Sequence, residues 1–265
     1  MSPAEARLRQ ELLDYCHRLH SRGWVANHDG NLSVRLRPGQ ILCTPTATSK
    51  AEVRDDGLLI VDEAGARLHG KGKPFSELSL HLAVLKIRSD AAAVVHAHPP
   101  HATALGASGR CLDQPFLPEA VVSLGPTVPL VPLTLPGSAQ VAALSPLVPL
   151  FDVVLIAGNG VLAWGDGLEQ AYLRIELVEH LARMFLLALP AGGVKPLPDS
   201  MLGPLLLARR KAGLGPEARG VMVPPTRPAA ASIAAPADRL HSLIREEVAA
   251  VLSKPCAPPA SDLPR

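Results

Sequence analysis

The run Ala91–His98, "AAAVVHAH", is apolar up to its two histidines and is closed by Pro99 and Pro100. A run this short, with β-branched residues at its centre, reads as a buried strand, and two prolines, which have no N–H to give a sheet ladder, end it. Helical segments flank it on both sides. Ser2-Pro3-Ala4-Glu5 starts a helix with a capping hydroxyl, a proline at the first turn and a carboxylate reaching back to the cap; it runs to about His20, and Gly23 ends it. "LSVRL", "ILCTP" and "LLIVD" follow as strands. Ser76 caps a second helix, in which Leu78, Leu82 and Leu85 recur at helical spacing as far as Arg88-Ser89-Asp90. Past the prolines, a third helix is expected over His101–Ala107, and "EAVVSL", "PLVPL" and "DVVLIA" are expected as strands. Asp166-Gly-Leu-Glu169 reads as a capping box that launches a long apolar helix. Interleaved helices and strands imply a layered α/β domain.

This domain is expected to occupy residues 1–194, because the character of the chain changes afterwards. Residues 195–265 are rich in Pro, Ala and Gly and are expected to form an appendage with one or two helices, "SMLGPLLLARRKAG" and "ADRLHSLIREEVAAVLSK".

Composition narrows the function classes. Lys plus Arg (26) and Asp plus Glu (24) nearly cancel, so the charge balance gives no reason to expect nucleic acid or an anionic membrane as partner. Aromatic residues are only 3% of the chain, too few for base-stacking platforms. No uninterrupted apolar stretch long enough for a membrane span occurs near the start, so a cytoplasmic location is expected. Cys16, Cys43, Cys111 and Cys256 are scattered without C-x-x-C spacing and are expected to be reduced thiols.

On a strand, side chains two apart share a face, so His96 and His98 converge while Ala97 faces away. At a strand exit, where α/β proteins commonly bind ligands, such a pair suits zinc or a related divalent metal; two core histidines are the plainer alternative. His101 is a weaker candidate that begins the next helix. Catalytic zinc usually takes three protein ligands and an open position. Glu77, at the start of the second helix, is the nearest suitable carboxylate in sequence, with helix-dipole stabilisation as its alternative role. His180, beside Glu176, Glu179 and Arg183, reads as a surface residue.

Five segments together resemble the class II aldolase/adducin family, which includes fuculose-phosphate aldolases and ribulose-phosphate epimerases. They are "NHDGNLSVRL", "TPTATSKAEV", "KPFSELSLHLAVL", "AVVHAHPPHATAL" and "LIAGNGVLAWGDGLEQAYLRIELVEHLA", in family order over roughly residues 5–190. The resemblance implies a three-layer α/β/α fold with a mixed, largely antiparallel sheet, and a homotetramer with active sites between subunits. It also implies a divalent metal held by three histidines beside an acid/base glutamate. His96, His98 and Glu77 match. The third histidine is replaced by Asn159, whose carbonyl oxygen is a poorer zinc donor; otherwise Glu77, Glu119 or a neighbouring subunit completes the shell.

In the family's phosphate pocket, Gly30, Asn31, Thr46 and Ser76 match, whereas Asp29 adds a negative charge, Ala47 replaces a glycine and Phe75 a serine. A carboxylate beside a phosphate is repulsive, so a neutral or carboxylated small carbonyl compound is expected instead of a sugar phosphate. The family's cross-subunit tyrosine is absent, and Glu119 falls next to its position.

Through an enediolate, such a site would support aldol cleavage, epimerisation or decarboxylation. Two other classes compete. A non-catalytic, adducin-like oligomerisation module is favoured by Asn159 and opposed by His96, His98 and Glu77. A dinucleotide-binding oxidoreductase is suggested by "GNGVLA", but no helix is expected to open at that turn.

Overall fold

A computed structural model describes residues 1–222. Helix α1 (Pro3–Ser21) begins as expected, with Ser2 Oγ accepting the Glu5 N–H at 3.2 Å. The Glu5 carboxylate turns instead to Arg9 and Arg37. Strands β1 (Asn31–Arg37), β2 (Gln40–Cys43), β3 (Leu59–Val61) and β4 (Arg67–His69) form a meander. Then come α2 (Leu78–Ile87), β5 (Ala93–Ala97), α3 (Pro100–Ala107), α4 (Pro118–Ser123), β6 (Leu130–Val131), α5 (Ser138–Leu144), β7 (Val153–Ile156), β8 (Val161–Gly165), α6 (Leu168–Ala188), α7 (Asp199–Lys211) and α8 (Gly215–Ala218).

The strands build one eight-stranded sheet in the order β4-β3-β2-β1-β5-β8-β7-β6, antiparallel except for the β6–β7 pair. The histidine strand β5 lies inside it, between β1 and β8. Ala93, Val95 and Ala97 face one core together with Leu12 and Leu19 of α1 and Ile175 and Val178 of α6. Val94 faces the other core, with Leu80 and Val84 of α2 and Leu144 of α5. Burial on both faces explains why β7 and β8, and β5 apart from His96, are apolar instead of alternating. The result is a three-layer α/β/α architecture with a mixed, largely antiparallel sheet. None of the described helices is long and apolar enough to cross a membrane.

Three local readings are corrected. "EAVVSL" is helical, not extended: Pro118 presets the first turn, and Arg209 Nη1 donates to the Val122 and Ser123 carbonyls at its end, at 2.9 and 2.6 Å. The Asp166–Glu169 capping box does not form. Gly167 is the N-cap of α6, and Gln170 Oε1 instead accepts the Asp166 N–H at 3.1 Å. Ser76 does not cap α2; Glu77 occupies the N-cap position without a side-chain cap bond, which leaves its carboxylate free for other partners. Beyond residue 194 the chain continues into α7, which packs on α4. The helix expected in "ADRLHSLIREEVAAVLSK", and Cys256, lie outside the described residues.

The docking of α7 and α8 centres on Asp152, which is fully buried. Its carboxylate lies 2.9 Å from Arg88, 2.8 Å from Arg209, 3.3 Å from Arg219 and 3.6 Å from Arg174. Burial pushes this carboxyl up, but the surrounding guanidinium charges outweigh it and hold Asp152 below its ordinary value.

Candidate active site at the exit of β5

β1 and β5 pair so that Asn31 lies opposite His96. Gly30, just before β1, has φ +72°, and a Cβ there would lie 2.5 Å from Val25 Cγ1 and 3.0 Å from the His96 carbonyl oxygen. Only glycine admits this approach of the loop to the histidine strand.

On the other side of β5, β7 and β8 are joined by the turn Gly158-Asn159-Gly160. Gly160 has φ +72°, and its missing side chain leaves room for the Ala97 carbonyl and the His98 ring. This is a hairpin between antiparallel strands, not a strand-to-helix turn, so "GNGVLA" is not a dinucleotide fingerprint. It presents Asn159 to the histidines.

The side chains meet in a compact cluster. His96 Nε2 and His98 Nε2 are 3.1 Å apart. His96 Nδ1 lies 3.0 Å from the Val161 carbonyl oxygen and donates to it, which turns the Nε2 lone pair toward His98. Glu77 Oε2 is 3.3 Å from His96 Nε2 and accepts a hydrogen bond from Asn31 Nδ2 at 2.9 Å. Asn159 Nδ2 donates to Glu77 Oε1. Asp29 Oδ2 lies 3.5 Å from His98 Nδ1.

The electrostatics follow from these contacts. Burial raises the Glu77 carboxyl, but the His96 ring, the Asn159 and Asn31 amides and His81 together bring it down to about 2. Burial lowers His98, and so does the neighbouring His96, while Asp29 and Glu77 oppose them.

The pocket loops are tied together behind this cluster. Pro45 and Pro74 form an isolated bridge, and the Thr46 N–H donates to the Lys73 carbonyl at 3.0 Å. Thr46 and Ser76 are exposed, and neither hydroxyl is hydrogen-bonded to the histidine cluster. Ala47 has φ +53°, so alanine holds a left-handed backbone at this turn. Glu119 is exposed in the first turn of α4, outside the cluster.

Three residues were missed from the sequence. Lys50 is 1% exposed and donates to the His28 and Thr48 carbonyls at 3.2 and 2.9 Å, joining the loop before β1 to the turn after β2. His81, one helical turn after Glu77, is fully buried, with Nδ1 2.8 Å from Ser33 Oγ and Nε2 without a partner; burial drives it down to about 3. Its i+4 spacing from Glu77 was the available signal. The third, Glu179, was read as a surface neighbour of His180 and is buried.

Two facing Nε2 atoms require a proton or a cation between them, and the Asn159 amide occupies the third side, so the donor set fits a divalent ion. Among the described residues no three His, Cys, Asp or Glu side chains are grouped so as to hold a metal ion by themselves.

Residues 10–186 match the family described as the class II aldolase and adducin N-terminal domain. The chain belongs to the class II aldolase/adducin family. Within this family it is 32% identical over 185 residues to a 3-oxo-tetronate 4-phosphate decarboxylase of Escherichia coli O6:H1, covering 68% of this chain and 86% of that relative. It is 30% identical to a methylthioribulose-1-phosphate dehydratase of Methylococcus capsulatus, over 64% of this chain and 89% of the relative. Among solved class II aldolase structures, an L-fuculose 1-phosphate aldolase superposes with a TM-score of 0.72 at 26% identity, covering 81% of this chain and 98% of that one. Decarboxylases, dehydratases and aldolases thus share the family's fold.

Proposed function

We propose that this chain is a metal-dependent, aldolase-like carbon–carbon lyase that acts on a small hydroxy-carbonyl compound through an enediolate, and not on a sugar phosphate. The observation that carries the reading is the placement of Glu77, held by two amides, 3.3 Å from His96 Nε2 and beside the His96–His98 pair. His96, His98 and the Asn159 oxygen would hold the ion, zinc being the expected one. Bound there, a divalent cation supplies Lewis-acid stabilisation of negative charge developing on substrate oxygens.

The chain's own groups handle the proton. With its carboxyl held down to about 2, Glu77 is ionised at neutral pH and is oriented by Asn31 and Asn159. In aldol cleavage Glu77 accepts the proton of the hydroxyl on the departing carbon as the carbon–carbon bond breaks. The electron pair stays on the carbonyl fragment as the enediolate, and Glu77 returns the proton to carbon. Decarboxylation of a 3-oxo acid would need only that last step, since loss of carbon dioxide leaves the same charge; the decarboxylase relatives keep this alternative open.

Asp29 supports the choice of substrate. Its carboxylate, 3.5 Å from His98 Nδ1, would repel a dianionic phosphate but tolerate a neutral or singly charged compound. The exposed Thr46 and Ser76 are the proposed hydroxyl contacts, with Gly30 and Asn31 against the histidine strand. We extend the resemblance to the assembly: a cytoplasmic homotetramer in which the exposed Glu119 serves a neighbouring copy's site. A non-catalytic, adducin-like module is the second reading, favoured by Asn159 bonding Glu77 where the family has a histidine.

The test is a panel of matched phosphorylated and free hydroxyketones and keto-acids. Wild type is expected to turn over a free compound, with Glu77→Gln losing about 100-fold or more and Asp29→Ser gaining on the phosphorylated partner. Preference of the wild type for a phosphorylated compound would overturn the substrate assignment, and inertness toward every compound, without metal uptake, would favour the non-catalytic module.

A further inference from the structure

Glu179 is a buried carboxylate on α6, and its two oxygens take three donors from the segment that follows His98. Oε1 accepts from the His101 backbone N–H at 3.2 Å and from His101 Nδ1 at 2.6 Å, and Oε2 accepts from the Ala102 N–H at 2.9 Å. Pro99 and Pro100 have no N–H, and Pro99 brings no capping side chain, so His101 and Ala102 are the first amides that α3 exposes at its N-terminus. A carboxylate is electrostatically favoured there. Here it comes from another layer element far along the chain, so it fixes where α3 begins relative to α6.

That point lies three residues beyond His98. His96 is 1% exposed inside β5, and its ring is fixed by the Val161 carbonyl. By contrast, the His98 side chain is 26% exposed and lies past the end of the strand, with its ring in the space left by Gly160. On one side its backbone is tied by its own N–H to the Trp24 carbonyl at 2.8 Å. On the other, the chain runs through two stiff prolines into the Glu179 clamp.

We propose that Glu179 is the positioning residue of His98: by holding His101 and Ala102 it sets the direction in which the His98 ring leaves β5. The proposal rests on the reading of His98 as a metal ligand. Loss of the clamp moves His98 and leaves His96 in place.

The experiment compares wild type, Glu179→Ala and Glu179→Gln by zinc titration of the chelator-treated full chain and by the ring-nitrogen resonances of His96 and His98. Outer-shell partners of metal-bound histidines typically contribute 10–100-fold in affinity. Glu179 bonds neither liganding ring directly, so Glu179→Ala is expected to weaken zinc by about 10-fold, the lower end of that range, and Glu179→Gln, which keeps one acceptor oxygen and the volume, to recover part of the loss. The His98 resonances should shift while those of His96 stay. Equal zinc affinity in all three proteins with unmoved His98 signals overturns the proposal, and so does an equal disturbance of both rings. If the wild type takes up no zinc, the metal-dependent reading fails on its own, and the ring resonances still decide the role of Glu179.

Discussion

Replacing Asp152 by asparagine keeps the shape of the side chain and removes the charge around which four arginines converge. With Asp152 gone, the direct ion pairs left to Arg88, Arg174, Arg209 and Arg219 among the described residues are those with Asp90, which reaches Arg88 at 2.8 Å and lies 4.0 Å from Arg219, while Asp166 acts on Arg174 from farther away. Breaking a buried ion pair by removing one partner costs about 3–5 kcal/mol. Each kcal/mol lowers the melting temperature of a domain this size by about 2–4 °C, so Asp152→Asn should melt about 6–20 °C below wild type. Denaturant unfolding and calorimetry measure the loss. Because Asp152 has a depressed folded-state pKa, its contribution is complete above its unfolded value of about 3.9 and is lost as the pH falls through the folded value. The gap between wild type and variant should therefore hold constant above about pH 5 and narrow only below about pH 4. A loss under about 1 kcal/mol, or a gap that closes near neutral pH, would refute the view that one carboxylate organises this core.

Three further outcomes follow from local geometry. Gly160→Ala puts a Cβ 2.3 Å from the Ala97 carbonyl oxygen and 2.6 Å from His98 Cδ2 at a left-handed backbone, so it should cost about 2 kcal/mol or more in denaturant unfolding; a neutral substitution contradicts this. Ala47→Gly should stabilise by about 0.5–1 kcal/mol, since relief of the left-handed strain exceeds the added chain entropy, and a destabilised variant would show that the turn is not strained. In the native protein a thiol reagent, mapped by mass spectrometry, should label half-buried Cys111 well before Cys16 and Cys43, whose buried thiols are pushed up to about 12. Labelling of Cys16 as fast as Cys111 would count against the packing of α1 on the sheet.

What the sequence made legible was whatever rests on local pattern. β5 was readable because a short apolar run ended in two prolines, and α1 because Ser2 and Pro3 mark its start. β4 was not, since Arg67–His69 is a short exposed edge strand without apolar alternation. Nor was α5, which follows Gly137 in a proline-rich stretch. The valines of "EAVVSL" favoured a strand, and only the distant Arg209 shows how the helix is closed. In the site, His96, His98 and Glu77 were visible through spacing and resemblance. Lys50, Glu179 and Asp152 act through partners far away in sequence, and a lone charged residue in a helix or turn gives no sign that it will be buried.

The proposed chemistry requires the His96–His98 pair, with Glu77 and Asn159, to form a cation site. Zinc titration of the chelator-treated full chain, alongside His98→Ala and Asn159→His, tests this most directly. One zinc per chain is expected, lost in His98→Ala and bound more tightly in Asn159→His. Absence of stoichiometric zinc in the wild type, with the same result in both variants, would contradict it.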